Sequence, residues 1–195
     1  MYFPDDMTFQ YFFFDTYPGY FLQALPFAII AGVIYGIIRH HQNAALSKSK
    51  RFWSVLFVCY LTGLICLVLA LDVMGIIWYR LLYHMPSGRV IRMFAWDCNF
   101  VPDFFTHINS EMIANVLVYL PFGILYPLSK QEVTWKKTML VGFLWIVGIE
   151  VLQPVFGRAF DVNDICLNMI GLIIGSLWFF MCKRLVTGKV TNEAR

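Results

Sequence analysis

Six polar residues stand between two apolar runs in the stretch Glu150 to Asn168: Glu150, Gln153, Arg158, Asp161, Asp164 and Asn168. Both flanking runs are long enough to enter a bilayer, and Glu150 and Asn168 fall inside them, where polar groups are costly and mark functional sites by default. The residue types suit three kinds of chemistry. Glu150 with Asp161 or Asp164 would form a carboxylate pair, one acid and one base, with Arg158 steadying negative charge. Arg158 would also pair with a phosphate or carboxylate in fork geometry, with Asn115, Gln153 and Asn168 adding hydrogen bonds. Glu150 alone would serve as an intramembrane protonation site.

Each residue also has a purely structural reading. Asp164 would cap the following helix at the positive end of its dipole. Arg158 would pair with Asp161 in water, which contributes little. A buried Glu150–Arg158 pair can persist for specificity alone. Asn115 would hydrogen-bond across helices.

The elements that must position this cluster follow from hydropathy. The chain is 59% hydrophobic, 18% aromatic and 14% charged, with mean hydropathy +0.66, against about 25% charged residues in soluble domains. It reads as an all-α, polytopic transmembrane helix bundle of about five spanning helices. Runs of about 20 apolar residues place them near residues 20–38, 52–71, 112–128, 138–156 and 165–182. Residues 73–110 are too apolar for a plain loop, and Arg80, Arg89 and Arg92 punctuate them. One or two amphipathic interfacial helices are expected there, with a longer tilted second span reaching Trp78 as the competing form. Asp5, Asp6 and Asp15 precede the first span among aromatics that suit an interfacial belt. No cleavable signal peptide is expected, since residues 1–20 carry no Lys or Arg.

Segments 39–51, 129–137 and 183–195 hold eleven of the fifteen Lys and Arg residues, while 1–20, 72–111 and 157–164 hold four. That alternation predicts an outer N-terminus and a cytoplasmic C-terminus. It divides the chain into a two-helix region with an interfacial segment (1–96), a three-helix core (97–182) and a basic cytoplasmic tail (183–195).

With this topology, Glu150 lies roughly 9 Å and Asn168 about 5 Å below the outer boundary at 1.5 Å per residue, with Asn115 at comparable depth. Asp161, Asp164 and Asn168 follow i, i+3, i+7 spacing and share one side of a helix. Gly171 and Gly175 continue that side and admit a close helix, making it one candidate homo-oligomer interface. Pro121, beside Gly123, is expected to kink the third span. Pro154 strips the Glu150 carbonyl of its intrahelical donor, leaving an acceptor beside the Glu150 side chain.

No phosphate-binding glycine loop, Gly-x-Ser-x-Gly or His-Glu-x-x-His occurs. His40 and His41 sit in a basic loop, and His84 and His107 are isolated. Cys59, Cys66, Cys98, Cys166 and Cys182 read as small buried hydrophobes, with a Cys98–Cys166 disulfide as the minor alternative. No metal site, cofactor or nucleic-acid partner is expected. Arg158 amid the acidic trio argues against a cation cage.

Together, Asn99-Phe-Val-Pro102, Asn115-Val-Leu-Val-Tyr-Leu-Pro121-Phe-Gly123 and the polar series from Glu150 through Gly175 resemble the VanZ-like family over about residues 97–180. Residue Asp103, after the Asn-x-x-Pro segment, departs from the family pattern. The resemblance implies a bacterial membrane protein with an envelope role, in a family named for low-level resistance to the glycopeptide teicoplanin. It implies no reaction. Three functions remain open: binding or modulating a membrane lipid or lipid-linked cell-wall precursor at the outer leaflet, an enzyme acting there through the carboxylate pair, or a small proton-coupled transporter or flippase. The last lacks an evident inverted repeat.

Overall fold

The computed structural model describes residues 8–42, 47–88, 91, 93–95, 97–105 and 110–193. Asp5, Asp6, Arg89, Arg92, His107 and Arg195, which entered the sequence reading, lie outside the described residues, as do the side chains of His41 and Lys189.

Five helices are long and apolar enough to cross a membrane: Tyr17–His40, Lys48–Val68, Ser110–Ser129, Trp135–Phe156 and Val162–Val186. They belong to α2 (Tyr17–Gln42), α3 (Lys48–Val68), α5 (Ser110–Ser129), α6 (Trp135–Leu152, followed by a 3₁₀ turn over Gln153–Phe156) and α7 (Val162–Glu193). Two shorter helices, α1 (Phe9–Asp15) and α4 (Leu71–Tyr83), lie at one end. The expected helix count and class hold. The last helix, however, continues through Lys183 and Arg184 to Glu193, because no proline interrupts the segment after Cys182.

The second span ends three residues before Leu71. The amides of Leu69 and Ala70 both turn back to the Ile65 carbonyl, at 2.8 and 3.2 Å, which closes α3 and separates it from α4. A single tilted helix reaching Trp78 is therefore excluded. Helix α4 is tied to α2 by Trp78, whose Nε1 donates to the Gln23 carbonyl at 3.0 Å and whose ring meets Phe13 and Phe27 edge-on. Gln23 in turn donates its side-chain amide to the Phe13 carbonyl and fastens α1. Beyond α4 no second amphipathic helix forms among the described residues. The chain runs extended instead, with Phe94 and Ala95 donating to the carbonyls of Val155 and Pro154, and Cys98–Asn99 (β1) pairing in parallel with Phe160–Asp161 (β2).

Helix α5 is central and packs on α3, α6 and α7. Phe57, Leu64, Phe122, Ile146 and Leu172 fill the core between them. In lipid there is no hydrophobic gain from joining two apolar helices, so close packing of small residues must hold them. Gly123, Gly171 and Gly175 supply it. A Cβ on Gly171 would run into the Val116 carbonyl, one on Gly175 into the Leu120 carbonyl, and one on Gly123 into the backbone at Leu172 and Ser176. The Gly171–Gly175 face is thus covered by α5 of the same chain, and is not free to form a homodimer contact. Pro121 and Pro127 both lie within α5, which runs on past them.

At the opposite end from α1 and α4, Lys50 donates its ammonium to the carbonyls of Leu128 and Lys130, and Ser54 Oγ donates to Ser129 O at 2.9 Å. These contacts satisfy carbonyls that the end of α5 leaves without intrahelical donors and place a cation at the negative end of its dipole. Thr134 caps α6 at the same end.

Candidate functional site

At the α1–α4 end lies a cavity of about 880 Å³. The start of α2, the end of α3, the starts of α5 and α7 and the turn after α6 all contribute to its lining. Its lining is mixed: apolar residues such as Phe21, Leu67, Val68 and Leu71 stand with the polar Asn115, Gln153, Arg158, Asp161, Asp164 and Asn168. Six of the seven polar residues singled out from the sequence therefore meet around one space, contributed by three helices and one loop.

The seventh, Glu150, is not on the lining. Its side chain is fully buried, and Oε1 accepts the backbone amide of Asp161 at 2.9 Å. It stands behind the wall and fixes the loop that carries Arg158 and Asp161. Its backbone carbonyl is also occupied: the Gln153 amide bonds to it as the helix tightens into the 3₁₀ turn, recovering the acceptor that Pro154 would have stranded. Gly157, at φ 81°, reverses the chain after that turn, a left-handed conformation that glycine adopts without a Cβ penalty.

The N-cap of α7 is Asp161, not Asp164. Asp161 Oδ1 accepts the Asn163 amide at 2.8 Å, the second residue of the helix, and also receives Asn99 Nδ2 at 3.2 Å. Asp164 is left to face the cavity, where Oδ1 accepts the side-chain amide of Asn115 from α5. Arg158 is exposed at the rim and donates Nη1 to the Val68 carbonyl of α3 at 3.2 Å, bridging the loop to that helix. Five free cysteines include Cys98 and Cys166, so the disulfide alternative does not hold.

Several residues escaped the sequence reading. Buried Asn163 receives the amides of Asp103 and Phe104 on Oδ1 at 2.8 and 3.1 Å and returns Nδ2 to Asp103 Oδ1 at 2.8 Å. This reciprocal pair clamps the Asn99–Pro102 segment onto the start of α7. It gives Asp103 a role in joining the two segments. Asn99 itself makes a local turn, taking the Val101 amide on Oδ1. Tyr119, one helical turn below Asn115, is 1% exposed, and its hydroxyl has no hydrogen-bond partner among the described residues. The same holds for Oδ1 of Asn168, 7% exposed. Both residues line the cavity. A tyrosine so close to Asn115 on an intramembrane helix was the available signal.

Leaving buried polar atoms unmatched costs about 1–3 kcal/mol each, and these two belong to residues of the cavity lining. No group of three or more His, Cys, Asp or Glu among the described residues is disposed to hold a metal ion.

The VanZ/LLP1 family model matches residues 27–183, which takes in the later part of α2 and all of α3 as well as the polar core that carried the resemblance. Protein VanZ of Enterococcus faecium is 28% identical over 112 residues, covering 55% of this chain and 68% of that protein. No solved structure matches. A family match spanning most of the chain, over the helices that build the cavity, makes this multi-pass membrane protein a member of the VanZ/LLP1 family.

Proposed function

We propose that this protein resides in the bacterial plasma membrane with its N-terminus outside and holds the polar head of an envelope amphiphile in the cavity at the outer leaflet. The amphiphile is a membrane lipid or a lipid-linked cell-wall precursor, and altered presentation of such molecules reduces glycopeptide access. The observation that carries this reading is the pair of buried, unpartnered polar atoms, Tyr119 Oη and Asn168 Oδ1, on residues of a cavity lined by both apolar and polar side chains. A ligand that is apolar at one end and hydrogen-bonding at the other matches both kinds of lining residue. The orientation rests on the eleven-to-four distribution of Lys and Arg, which leaves the cavity end poor in cations. The role in teicoplanin susceptibility rests on similarity to Protein VanZ.

The test is antibiotic susceptibility, teicoplanin beside vancomycin, in a deletion strain complemented with wild type, Arg158→Lys, Asp164→Asn or Asn168→Ala, each checked for membrane abundance. Loss of protection by Asn168→Ala and Asp164→Asn at normal abundance is the expected result. Full protection in all three variants would reduce the cavity residues to caps and interhelical hydrogen bonds.

A further inference from the structure

The charge on the cavity lining is lopsided. Asp15, Asp103, Glu111, Asp161 and Asp164 contribute five carboxyl groups, and Arg158 is the one guanidinium among the lining residues. The two deepest carboxylates, half-buried Asp161 and Asp164, take hydrogen bonds from amides: Asn99 Nδ2 and the Asn163 N–H on one, Asn115 Nδ2 on the other. Amides spread a carboxylate's charge but do not cancel it. Next to Asp164 sit the two orphaned oxygens, Asn168 Oδ1 and Tyr119 Oη, an acceptor and a hydroxyl able to accept. The inner part of the cavity is therefore an acidic field beside an amide and a hydroxyl, each able to offer an oxygen to a donor.

We infer that the head bound here carries a protonated amine, seated inward against Asp164, Asn168 and Tyr119, with its phosphodiester at the Arg158 rim. An ammonium offers three donors and no acceptor, which complements this set. A phosphate placed inward would meet carboxylates and an acceptor oxygen with no cation beside it, whereas at the rim it meets the fork of Arg158. Chains attached to such a head lie along Phe21, Leu67 and Leu71. The occupant is thus an aminoalkyl phosphodiester amphiphile, as distinct from a purely anionic one. This inference rests on the reading that the cavity holds an amphiphile's head, and it goes further by fixing the head's charge and direction.

The experiment uses the purified full chain in neutral detergent. It is titrated calorimetrically with dihexanoyl phosphatidylethanolamine, dihexanoyl phosphatidylglycerol and chain-free phosphoethanolamine. The phosphatidylglycerol arm keeps the phosphodiester and chains and replaces the ammonium with a diol. The ethanolamine lipid is expected to bind at least about tenfold more tightly than the glycerol lipid, as loss of a charge-assisted contact implies. Asp164→Asn, which retains an acceptor for Asn115 and leaves the Asp161 cap intact, is expected to shrink that preference to about threefold or less, and Tyr119→Phe to weaken it in the same direction. Binding of the lipid at least as tight as that of phosphoethanolamine makes a membrane lipid the source of the head; tighter binding of the chain-free compound points to a soluble amine phosphate with the same ammonium contact. Equal or tighter binding of phosphatidylglycerol, with Asn168→Ala still weakening it, overturns the ammonium assignment and leaves the amphiphile reading standing. Binding of no probe by wild type overturns both.

Discussion

Glu150 and Asp161 are joined across the turn that ends α6 and starts α7: the buried carboxylate oxygen of the first accepts the backbone amide of the second at 2.9 Å. The link spans eleven positions and closes the loop that presents Arg158 to the cavity. An ionisable side chain is thereby used to fix backbone, while the neighbouring aspartates line the cavity. Glu150 is a positioning residue in this arrangement, and Asp164 a lining one.

That distinction predicts opposite patterns for two substitutions. Glu150→Gln keeps an Oε1 acceptor for the Asp161 amide, so fold and cavity should persist. Glu150→Ala removes it and leaves a part-buried N–H without that acceptor, a cost of about 1 kcal/mol or more. Thermal unfolding of detergent-solubilised protein, followed by size-exclusion recovery, should show a clear drop for alanine and little change for glutamine. An alanine variant as stable as wild type would remove the positioning role.

The two aspartates of the loop should separate in the same way. Asp161 caps α7, so Asp161→Ala is expected to cost about 0.5–2 kcal/mol of stability. Asp164 lies inside the first turn and holds only Asn115 by its side chain, so Asp164→Asn should leave the unfolding temperature nearly unchanged while protection against teicoplanin falls. If both variants lose stability equally, the assignment of cap and lining residue is wrong.

The glycines offer a packing test. Gly175→Ala drives a methyl group into the Leu120 carbonyl and Gly171→Ala another into the Val116 carbonyl, so α5 and α7 must separate. Both variants should show reduced membrane abundance. Gly148, on α6, has open space where a Cβ would go, and Gly148→Ala should be neutral or stabilising by roughly 0.5–1 kcal/mol through helix propensity. Immunoblotting of membrane fractions distinguishes the cases. Normal abundance of Gly171→Ala and Gly175→Ala would contradict the close α5–α7 approach.

Most of the frame could be read from the sequence because bilayer thickness converts directly into run length. Five runs gave five helices, and depth counted along them placed Glu150, Asn115 and Asn168 in one layer, of which Asn115 and Asn168 line the cavity. What escaped reading depended on contacts between distant segments. Asn163 gains its importance from Asp103, sixty positions away, and no local pattern announces that. The true start of α7, three residues before the apolar run, moved the cap from Asp164 to Asp161, since hydropathy marks entry into lipid and not the first helical residue. The depth of Glu150 was legible, but not the direction it faces. The carbonyl freed by Pro154 was recovered by a 3₁₀ turn, a local adjustment that an ideal α-helical count omits. For Gly171 and Gly175 the small-residue spacing was clear, yet spacing alone does not say whether the close partner is α5 or a second copy.

Orientation can be tested with a cysteine the chain already has. Cys98 is exposed in β1, at the cavity end, while Ser49 is exposed in the first turn of α3 at the Lys- and Arg-rich end. With Cys59, Cys66, Cys166 and Cys182 replaced by serine, a membrane-impermeant maleimide should label Cys98 in intact cells. In a second variant, with Cys98 also replaced and Ser49→Cys introduced, labelling should appear only after permeabilisation. The positive-inside asymmetry sets this expectation, because cations in short connections are retained on the cytoplasmic side during insertion. The reverse pattern would put the cavity in the inner leaflet. A head bound there would be drawn from the cytoplasmic pool, and altered presentation to an external glycopeptide would no longer follow from binding alone.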